Sequence, residues 1–244
     1  EHADDFHVQP LATKGSMAQR LIGMLTQLVL ARPGEDADRG SMSEPSFLAG
    51  RFLPHRLLPG WLGEAEAARL LAFGLAAEAR FAPTRLNDHG AGRVNDVVRQ
   101  SSVLKDLGAF AASLRRKALA LQDGLEAAFE MAHTEANSTQ IEMVAHGDGA
   151  FYRPHTDTYT GDEYTPGGRR RLTMVYYLHR QPRRFTGGRL RMFDLGGDQS
   201  IEIEPAHDSL LVFPSAARHE VETISCPGGA FADGRFAVNI WLCG

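Results

Sequence analysis

The spacing of hydrophobic residues along the chain changes near residue 137. Before this point apolar residues recur every three or four positions over Gly63–Arg80 and over Val103–His133, which predicts two helices. After it, short runs rich in β-branched and aromatic residues alternate with turns that contain Gly, Pro or Asp, which predicts seven or eight strands. A helical first part followed by closely spaced strands is typical of an antiparallel sandwich or barrel braced by helices.

The predicted strands of the second part are short. They are Gln140–Ala145, Leu172–His179, Arg189–Phe193, Ser200–Glu204, Ser209–Phe213, His219–Ile224 and Arg235–Leu242. Two further strands, Arg80–Leu86 and Val97–Val98, are predicted on either side of a polar loop over 87–96. A second polar loop covers 158–168 and follows the first group of candidate site residues described below.

The first forty-six residues differ from the rest. Apolar positions from Met17 to Leu30 fit one face of a helix, and the turn-forming and charged residues after them are typical of a linker. The tripeptide Gly-Ser-Met occurs twice there, which is consistent with a cloning remnant. We predict an N-terminal appendage over 1–46 and one domain over 47–244, with helical support over 47–136 and a strand-rich core over 137–244.

Composition narrows the class of protein. The chain of 244 residues is 43% hydrophobic and 23% charged, as expected of a globular domain that buries its own core. Its net charge of −4 gives no general attraction to nucleic acid or to anionic membranes. Two cysteines, Cys226 and Cys243, make no disulfide framework and indicate a reducing compartment. With no visible secretory signal and no apolar run long enough to span a bilayer, we expect a soluble, cytoplasmic protein.

The segment His155-Thr156-Asp157 is the first candidate for chemistry. On a strand, residues i and i+2 project from the same face, so this imidazole and this carboxylate can reach one point. His219, at the start of a predicted strand, is the candidate third ligand. Two histidines and one carboxylate that leave open positions are the arrangement of non-haem Fe(II) oxygenases. A solvated loop end and a strand-end histidine facing water are the ordinary alternatives.

The last predicted strand holds a second candidate. Every second residue from Phe236 is apolar, whereas Arg235 opens the opposite face, which Trp241 shares. An arginine inside a barrel is costly unless an anion meets it, and a guanidinium pairs with a carboxylate through two charge-assisted hydrogen bonds. This pattern favours a dicarboxylic cosubstrate; an edge-strand arginine whose charged end reaches solvent is the alternative.

Taken together, these residues resemble the iron- and 2-oxoglutarate-binding signature of the Fe(II)/2-oxoglutarate dioxygenases. Within that superfamily the resemblance is to the prolyl 4-hydroxylases, including the hypoxia-sensing type. The supporting strings are Met143-Val144-Ala145, Gly149, Tyr152-Arg153-Pro154-His155, Val175-Tyr176-Tyr177-Leu178, Gly187-Gly188-x-Leu190-Arg191 and Arg235-Phe236-Ala237-Val238-Asn239-Ile240-Trp241. The resemblance covers about residues 137–242 and implies a mainly β, α+β fold, a double-stranded β-helix (jelly roll) core braced by the N-terminal helices.

The resemblance also implies roles for individual residues. His155, Asp157 and His219 would bind Fe(II), and Arg235 would hold the distal carboxylate of 2-oxoglutarate with help from the Tyr177 hydroxyl. Further pocket-lining positions would be Thr173, Val175, Leu190 and Trp241, although Val175 and Leu190 fit an ordinary barrel core equally well. O2 would be the second cosubstrate and ascorbate the reductant, and an acidic ligand at position 157 disfavours halogenation.

The chain departs from the family pattern at two places. His146 stands where many relatives have a tyrosine that points into the site, and the resemblance does not settle its role. The stretch from His219 to Arg235 is longer than usual, so residues 225–233 are predicted to bulge out as a turn.

The implied reaction is hydroxylation of a prolyl or similar residue of a peptide or protein, with oxidative decarboxylation of 2-oxoglutarate to succinate and CO2. Two alternatives stay open: an oxygenase of a free amino acid or small biosynthetic metabolite, and a non-catalytic jelly-roll binding module. Loop 87–96 lies where the hypoxia-sensing relatives have a mobile lid, and a plain connection fits it equally well. A homodimer is one of the oligomeric states that the sequence leaves open.

Arginines are dense between residues 169 and 191, beside the expected mouth of the site. They suit either an acidic peptide or anionic small molecule, or a solvated basic face, and the second is the commoner arrangement. No stripe of aromatic residues interleaves with them as base stacking would require, so no nucleic-acid partner is expected.

Overall fold

The structure, a computed structural model, describes residues 48–84, 95–158 and 168–244. Within these ranges the helices are α1 (Glu64–Ala76), α2 (Ala109–Leu119) and α3 (Gln122–Ala128). The strands are β1 (Arg56–Pro59), β2 (Ala82–Pro83), β3 (Arg99–Gln100), β4 (Ser102–Leu104), β5 (Ser138–His146), β6 (Phe151–His155), β7 (Arg170–Leu178), β8 (Thr186–Gly187), β9 (Leu190–Phe193), β10 (Ser200–Ile203), β11 (Ser209–Pro214), β12 (His219–Val221), β13 (Ile224–Ser225) and β14 (Arg235–Cys243). The predicted appendage over 1–46, most of loop 87–96 and most of loop 158–168 lie outside the described residues.

The strands form two principal antiparallel sheets. The larger has the order β1-β11-β7-β14-β5-β4-β2, and the smaller has the order β10-β9-β12-β6-β3. Strands distant in sequence therefore lie side by side, as in a jelly roll, and β8 and β13 add a separate pair. The predicted fold class, a mainly β double-stranded β-helix braced by helices, is confirmed.

Strand β14 separates two hydrophobic clusters. Phe236, Val238 and Ile240 point into a cluster shared with the helices, which includes Leu70 of α1 and Leu114 of α2. On the opposite face Ala237 joins a cluster contributed by both sheets. The two-faced pattern predicted for this strand is thus present, and the face that begins with Arg235 is turned toward the space between the sheets.

Helix α1 packs closely against the larger sheet at Gly74. A Cβ atom at this position would lie 2.6 Å from the Met143 sulfur of β5, so a larger residue would require the methionine side chain to move. Ala67 and Leu70 on the same helix are fully buried. The helix predicted over Gly63–Arg80 is therefore present, with its last residues, Glu78–Arg80, in a 3₁₀ turn.

The helix predicted over Val103–His133 is wrong at its start and in its middle. Val103 belongs to β4 and pairs with Val144 of β5, and helices α2 and α3 follow as separate elements. Gly108, with a positive φ of 55°, starts α2 after a turn in which its N–H donates to the Asp106 carboxylate at 2.9 Å. Val103 and Leu104 are buried, and a short apolar run fits a buried strand as well as a buried helix, so the periodicity could not exclude a strand.

Smaller differences concern the short strands. The predicted strand at Val97–Val98 is a turn, and β3 begins one residue later, at Arg99. Strands β1 and β6 were not among the predicted strands, and the predicted strand over His219–Ile224 is divided between β12 and β13. Four short strands, β1 to β4, thus accompany the helices of the predicted support segment 47–136 and pair within the sheets.

Two expectations from composition can be compared with the described residues. Cys226 and Cys243 are buried free thiols, as expected of a chain without a disulfide framework. No helix in the described ranges combines the length and apolar character needed to cross a membrane.

Candidate metal centre

Strands β6 and β12 bring the three predicted metal ligands together. His155, the last residue of β6, lies opposite His219, the first residue of β12. Asp157 follows two residues later, and one ligand atom from each side chain lies within 4.8 Å of the other two. The three side chains can therefore meet a single metal ion.

The position of Asp157 has a different cause from the one predicted. Strand β6 ends at His155, so the alternation of side chains along a strand does not place residue 157. Instead, the backbone N–H groups of Asp157 and Thr158 donate to the Ser215 carbonyl at 2.9 and 3.1 Å. The turn after β11 thus holds the carboxylate beside the imidazoles.

Both imidazoles are oriented by a backbone carbonyl. Nδ1 of His155 lies 2.8 Å from the Arg153 carbonyl oxygen, and Nδ1 of His219 lies 2.9 Å from the Ala217 carbonyl oxygen. Since a carbonyl only accepts, each Nδ1 carries a proton, and Nε2 is the nitrogen available to a metal ion. These Nε2 atoms lie 3.7 and 3.8 Å from oxygens of Asp157. A backbone carbonyl that orients the second ring nitrogen is typical of metal-binding histidine.

The Asp157 carboxylate is held from its other side. Its Oδ2 accepts hydrogen bonds from Oγ1 of Thr173 at 2.9 Å and from Nε1 of Trp241 at 3.0 Å. Burial alone would raise the pKa of Asp157, but His219, His155 and the bond from Trp241 hold it below its usual value. Burial, followed by the neighbouring His219, lowers the pKa of His155. The carboxylate is therefore ionised and His155 neutral, as metal ligands must be.

Arg235 is the buried first residue of β14, whereas Trp241, which contacts Asp157, lies near the other end of that strand. Its Nη1 donates to Nδ1 of His146 at 3.2 Å, and its guanidinium carbon lies 4.9 Å from the centre of the Tyr177 ring. Its Nε and the Tyr177 hydroxyl have no hydrogen-bond partner among the described residues. Burial raises the pKa of Tyr177 to about 12, so this hydroxyl remains a donor. A carboxylate bound here would accept hydrogen bonds from both of these buried groups and would balance the charge of Arg235.

The remaining predicted pocket residues take different positions. Thr173 and Trp241 contact Asp157 rather than only lining a wall, and they lie opposite each other on β7 and β14. Val175 and Leu190 belong to the buried cluster between the sheets, together with Tyr177, which suits both a pocket wall and ordinary core. The predicted site residues thus lie on the inward face of the larger sheet, on the smaller sheet, or, for Asp157, directly after β6.

Sequence reasoning missed two contributors to the metal centre. Ser215 positions Asp157 through its carbonyl, and its hydroxyl lies 2.9 Å from that of Thr173. The Tyr152 ring stacks on His155 with 3.5 Å between ring centres, although Tyr152 was noted only as part of a matching string. A turn serine has no signal in the sequence, and strand alternation would place Tyr152 on the face opposite to His155. The register of β6 against β12 shifts between these two residues, which the sequence does not reveal.

The dense arginines between 169 and 191 do not form an open basic face. Arg189 and Arg191 of the smaller sheet share Glu222, with nitrogen–oxygen distances of 2.9 and 2.7 Å. Others pair with acidic residues elsewhere: Arg171 with Glu126, Arg180 with Asp233 and Arg183 with Glu204. These acidic partners neutralise most of the positive charge that would attract an acidic ligand to the arginines.

Comparison with known proteins supports the resemblance read from the sequence. A family model for the 2OG-Fe(II) oxygenase superfamily matches residues 140–243. An uncharacterized PKHD-type hydroxylase of Synechocystis is 33% identical over 154 residues, which are 59% of this chain and 50% of that protein. Egl nine homolog 1 of Homo sapiens is 37% identical over 98 residues, 39% of this chain and 20% of that protein. The matched segments thus span half or less of these curated relatives.

Solved structures show the same fold. A prolyl-4-hydroxylase of Pseudomonas putida superposes with a TM-score of 0.56 at 22% identity, over 78% of this chain and 92% of that one. A prolyl hydroxylase of Trichoplax adhaerens, solved with a hypoxia inducible factor peptide, gives 0.55 at 17% identity, over 92% and 89%. The chain thus shares its fold with these solved structures, and residues 140–243 are similar to the 2OG-Fe(II) oxygenase superfamily. The proteins that it resembles include a PKHD-type hydroxylase and two prolyl hydroxylases of known structure.

Proposed function

We propose that this chain is an Fe(II)- and 2-oxoglutarate-dependent hydroxylase that acts on a prolyl or similar residue of a peptide or protein. The observation that supports it most is the convergence of His155, Asp157 and His219 within 4.8 Å, beside the face of the larger sheet that carries Trp241 and buried Arg235. Strand β7 joins the two features, because Thr173 contacts Asp157 and Tyr177, four residues along, lies beside Arg235.

The donor set fits a divalent iron ion. Two imidazole nitrogens and one carboxylate are the ligands that non-haem Fe(II) oxygenases use, and they leave positions open for other ligands. When bound, Fe(II) would supply O2 activation coupled to oxidative decarboxylation of 2-oxoglutarate to succinate and CO2. Thr173 and Trp241 would keep the Asp157 carboxylate in its orientation as the ion is bound, since both hydrogen bonds already exist.

Arg235 and Tyr177 would bind the distal carboxylate of 2-oxoglutarate. Each offers a buried donor with no partner among the described residues, so a carboxylate there would satisfy both donors and balance the buried charge. Val175 and Leu190, in the apolar cluster beside Tyr177, would exclude water from this end of the pocket. The pocket is thus suited to a dicarboxylic rather than a monocarboxylic cosubstrate.

The prolyl substrate is inferred from the relatives. A PKHD-type hydroxylase, Egl nine homolog 1 and two prolyl hydroxylases of known structure share sequence or fold with this chain. Three predictions from the sequence accompany this proposal: ascorbate as the reductant, a cytoplasmic location, and a domain boundary near residue 47.

A free amino acid or small metabolite is the second candidate substrate, and Arg99 supports it. The Arg99 guanidinium lies 4.6 Å from the Tyr152 ring centre, and its Nε donates to Oγ of Ser101. Among the described residues no carboxylate pairs with it, although Tyr152 stacks directly on His155. A cation separated from the metal ligands by one aromatic ring could bind the free carboxylate of a small substrate.

The test is incubation of the purified full chain with Fe(II), O2, 2-oxoglutarate and ascorbate. We expect succinate release that requires both Fe(II) and 2-oxoglutarate, and a gain of one oxygen by a proline-containing peptide in mass spectrometry. A gain by free amino acids alone would favour the second candidate. Absence of Fe(II)-dependent succinate with every peptide and amino acid would overturn the proposal and favour a non-catalytic binding module.

A further inference from the structure

Position 146 is occupied by a buried histidine that faces the start of β14. His146 ends β5, and its register partner is Arg235, the first residue of β14. The side chains meet through the 3.2 Å hydrogen bond from Nη1 of Arg235 to Nδ1 of His146. His146 is 3% exposed and Arg235 is 1% exposed, so solvent does not compete for this bond.

The direction of this hydrogen bond fixes the state of His146. Arginine has no acceptor, so Nδ1 of His146 must carry the lone pair and Nε2 the proton. Burial, followed by the charges of Arg235 and Arg99, lowers the pKa of His146 well below its usual value. A hydrogen bond to the Arg235 backbone opposes this shift but is the weakest of these causes. The ring is therefore a neutral acceptor, which a guanidinium can approach without repulsion.

The rest of the Arg235 side chain is confined by packing. A Cβ atom at Gly188 would lie 2.9 Å from Cδ of Arg235 and 2.7 Å from Cγ1 of Ile224, so the arginine stem passes where only glycine leaves room. The Tyr177 ring lies beside the guanidinium. Packing thus fixes the stem, whereas the hydrogen bond to His146 fixes the rotation of the planar charged group.

We infer that His146 is a positioning residue, which orients the Arg235 guanidinium so that its remaining donors and the Tyr177 hydroxyl face the distal carboxylate of a 2-oxo dicarboxylic acid. This inference rests on the proposed function. Among the described contacts of His146, none is with His155, Asp157 or His219, and its side-chain hydrogen bond goes to Arg235. An effect of His146 on the distal carboxylate, and not on the metal, is therefore the distinguishing expectation.

The test compares two substitutions in the full chain. His146→Leu removes the acceptor at similar volume, and His146→Asn keeps an acceptor oxygen close to the place of Nδ1. Calorimetry on the Zn(II)-loaded protein measures binding of N-oxalylglycine, an unreactive analogue of 2-oxoglutarate, and of 2-oxobutanoate, which lacks the distal carboxylate. We expect His146→Leu to weaken N-oxalylglycine binding roughly tenfold to hundredfold, the effect of one hydrogen bond to a charged group.

The controls separate positioning from a general loss of structure. His146→Asn should recover most of the N-oxalylglycine affinity, and neither variant should change 2-oxobutanoate binding more than about twofold, since Leu and Asn leave the metal end intact. In an Arg235→Met background, His146→Leu should add no further loss, because both residues act through the same contact.

Three results would overturn the inference. Unchanged N-oxalylglycine binding by His146→Leu would show that the contact does not matter, and an equal loss for both compounds would place the effect elsewhere. An additive loss in the Arg235→Met background would show that His146 acts independently of Arg235. Failure of the proposed function looks different, because then the unsubstituted Zn(II)-loaded protein binds neither compound.

Discussion

The two ends of the site on β7 and β14 differ in how completely their polar groups are paired. At the metal end, Thr173 and Trp241 both donate to Asp157, and the hydroxyl of Ser215 contacts that of Thr173. At the other end, Nε of Arg235 and the hydroxyl of Tyr177 are buried without partners among the described residues. Both ends are built on the same two neighbouring strands, with Thr173 opposite Trp241 and Tyr177 opposite Ala237.

The two ends therefore differ in whether their side chains are fully held in place before a ligand binds. The metal end is organised before any ligand binds, because carbonyl groups fix both imidazoles and two donors fix the carboxylate. The arginine end is incomplete until an acceptor arrives, since buried donors without partners destabilise the fold. Substitutions at the metal end should therefore affect metal affinity, and substitutions at the arginine end should affect cosubstrate affinity alone.

The largest effect is expected from Asp157→Ala. Loss of the only carboxylate among the three candidate ligands should weaken metal binding at least a hundredfold and abolish succinate release, because two imidazoles alone form a poor site for a divalent ion. Mn(II) binding followed by electron paramagnetic resonance checks the first expectation. Asp198→Ala is the matched control, since Asp198 is exposed and its ion pair within the described residues is with Arg218. Equal Mn(II) affinity in the two variants would refute the assignment of the ligands.

The next largest effect is expected from Arg235→Met, which should weaken cosubstrate binding rather than metal binding. The KM for 2-oxoglutarate should rise roughly tenfold to hundredfold, as expected for the loss of hydrogen bonds between a cation and a carboxylate. Mn(II) affinity should stay unchanged, because Arg235 does not contact a candidate ligand in the described structure. Steady-state kinetics and metal titration on the same preparation check both parts, and a parallel loss of metal affinity would contradict the separation of the two ends.

Thr173→Val tests the support of the metal ligand rather than the ligand itself. Valine matches threonine in shape but cannot donate to Asp157, so one of the two bonds that orient the carboxylate is lost. We expect metal affinity to fall about tenfold, at the low end of the range for residues that support a metal ligand. Thr156→Val is a suitable comparison, since the Thr156 hydroxyl donates to the Thr158 carbonyl and, within the part of the chain that the structure describes, not to Asp157. If both variants bind Mn(II) equally well, the hydrogen bond to Asp157 does not support the site.

The convergence of the candidate residues could be predicted from the sequence, whereas the contacts that hold them could not. His155, Asp157 and His219 were grouped because metal ligation restricts residue type and spacing, and Arg235 was placed inward because the strand period of two left a charge on an inward face. Ser215 and the bond between His146 and Arg235 could not be recognised. They depend on contacts between residues far apart in the chain, which are set by the pairing of strands and not by local pattern.

The fold shows the same division between local and distant effects. Helix α1 was predicted because its buried positions follow the helical period over thirteen residues. Residues 103 and 104 also fitted that period but pair with β5, since a buried apolar run suits a strand wherever a partner edge is available. Tertiary pairing decided between two conformations that the local sequence allowed.

The smallest expected effect concerns acid stability at the arginine end. Burial, followed by the charge of Arg235, lowers the pKa of His146, so below pH 6.5 the unfolded chain binds a proton at this residue that the folded chain does not. The free energy of unfolding should therefore fall as the pH is lowered from 7 to 5, by at most about 1.4 kcal/mol per pH unit from this residue. In His146→Asn this contribution is absent, so urea unfolding at both pH values should show a shallower loss than in the unsubstituted chain. An identical loss would mean that His146 takes up its proton equally in both states, and the neutral acceptor assigned to it would be wrong.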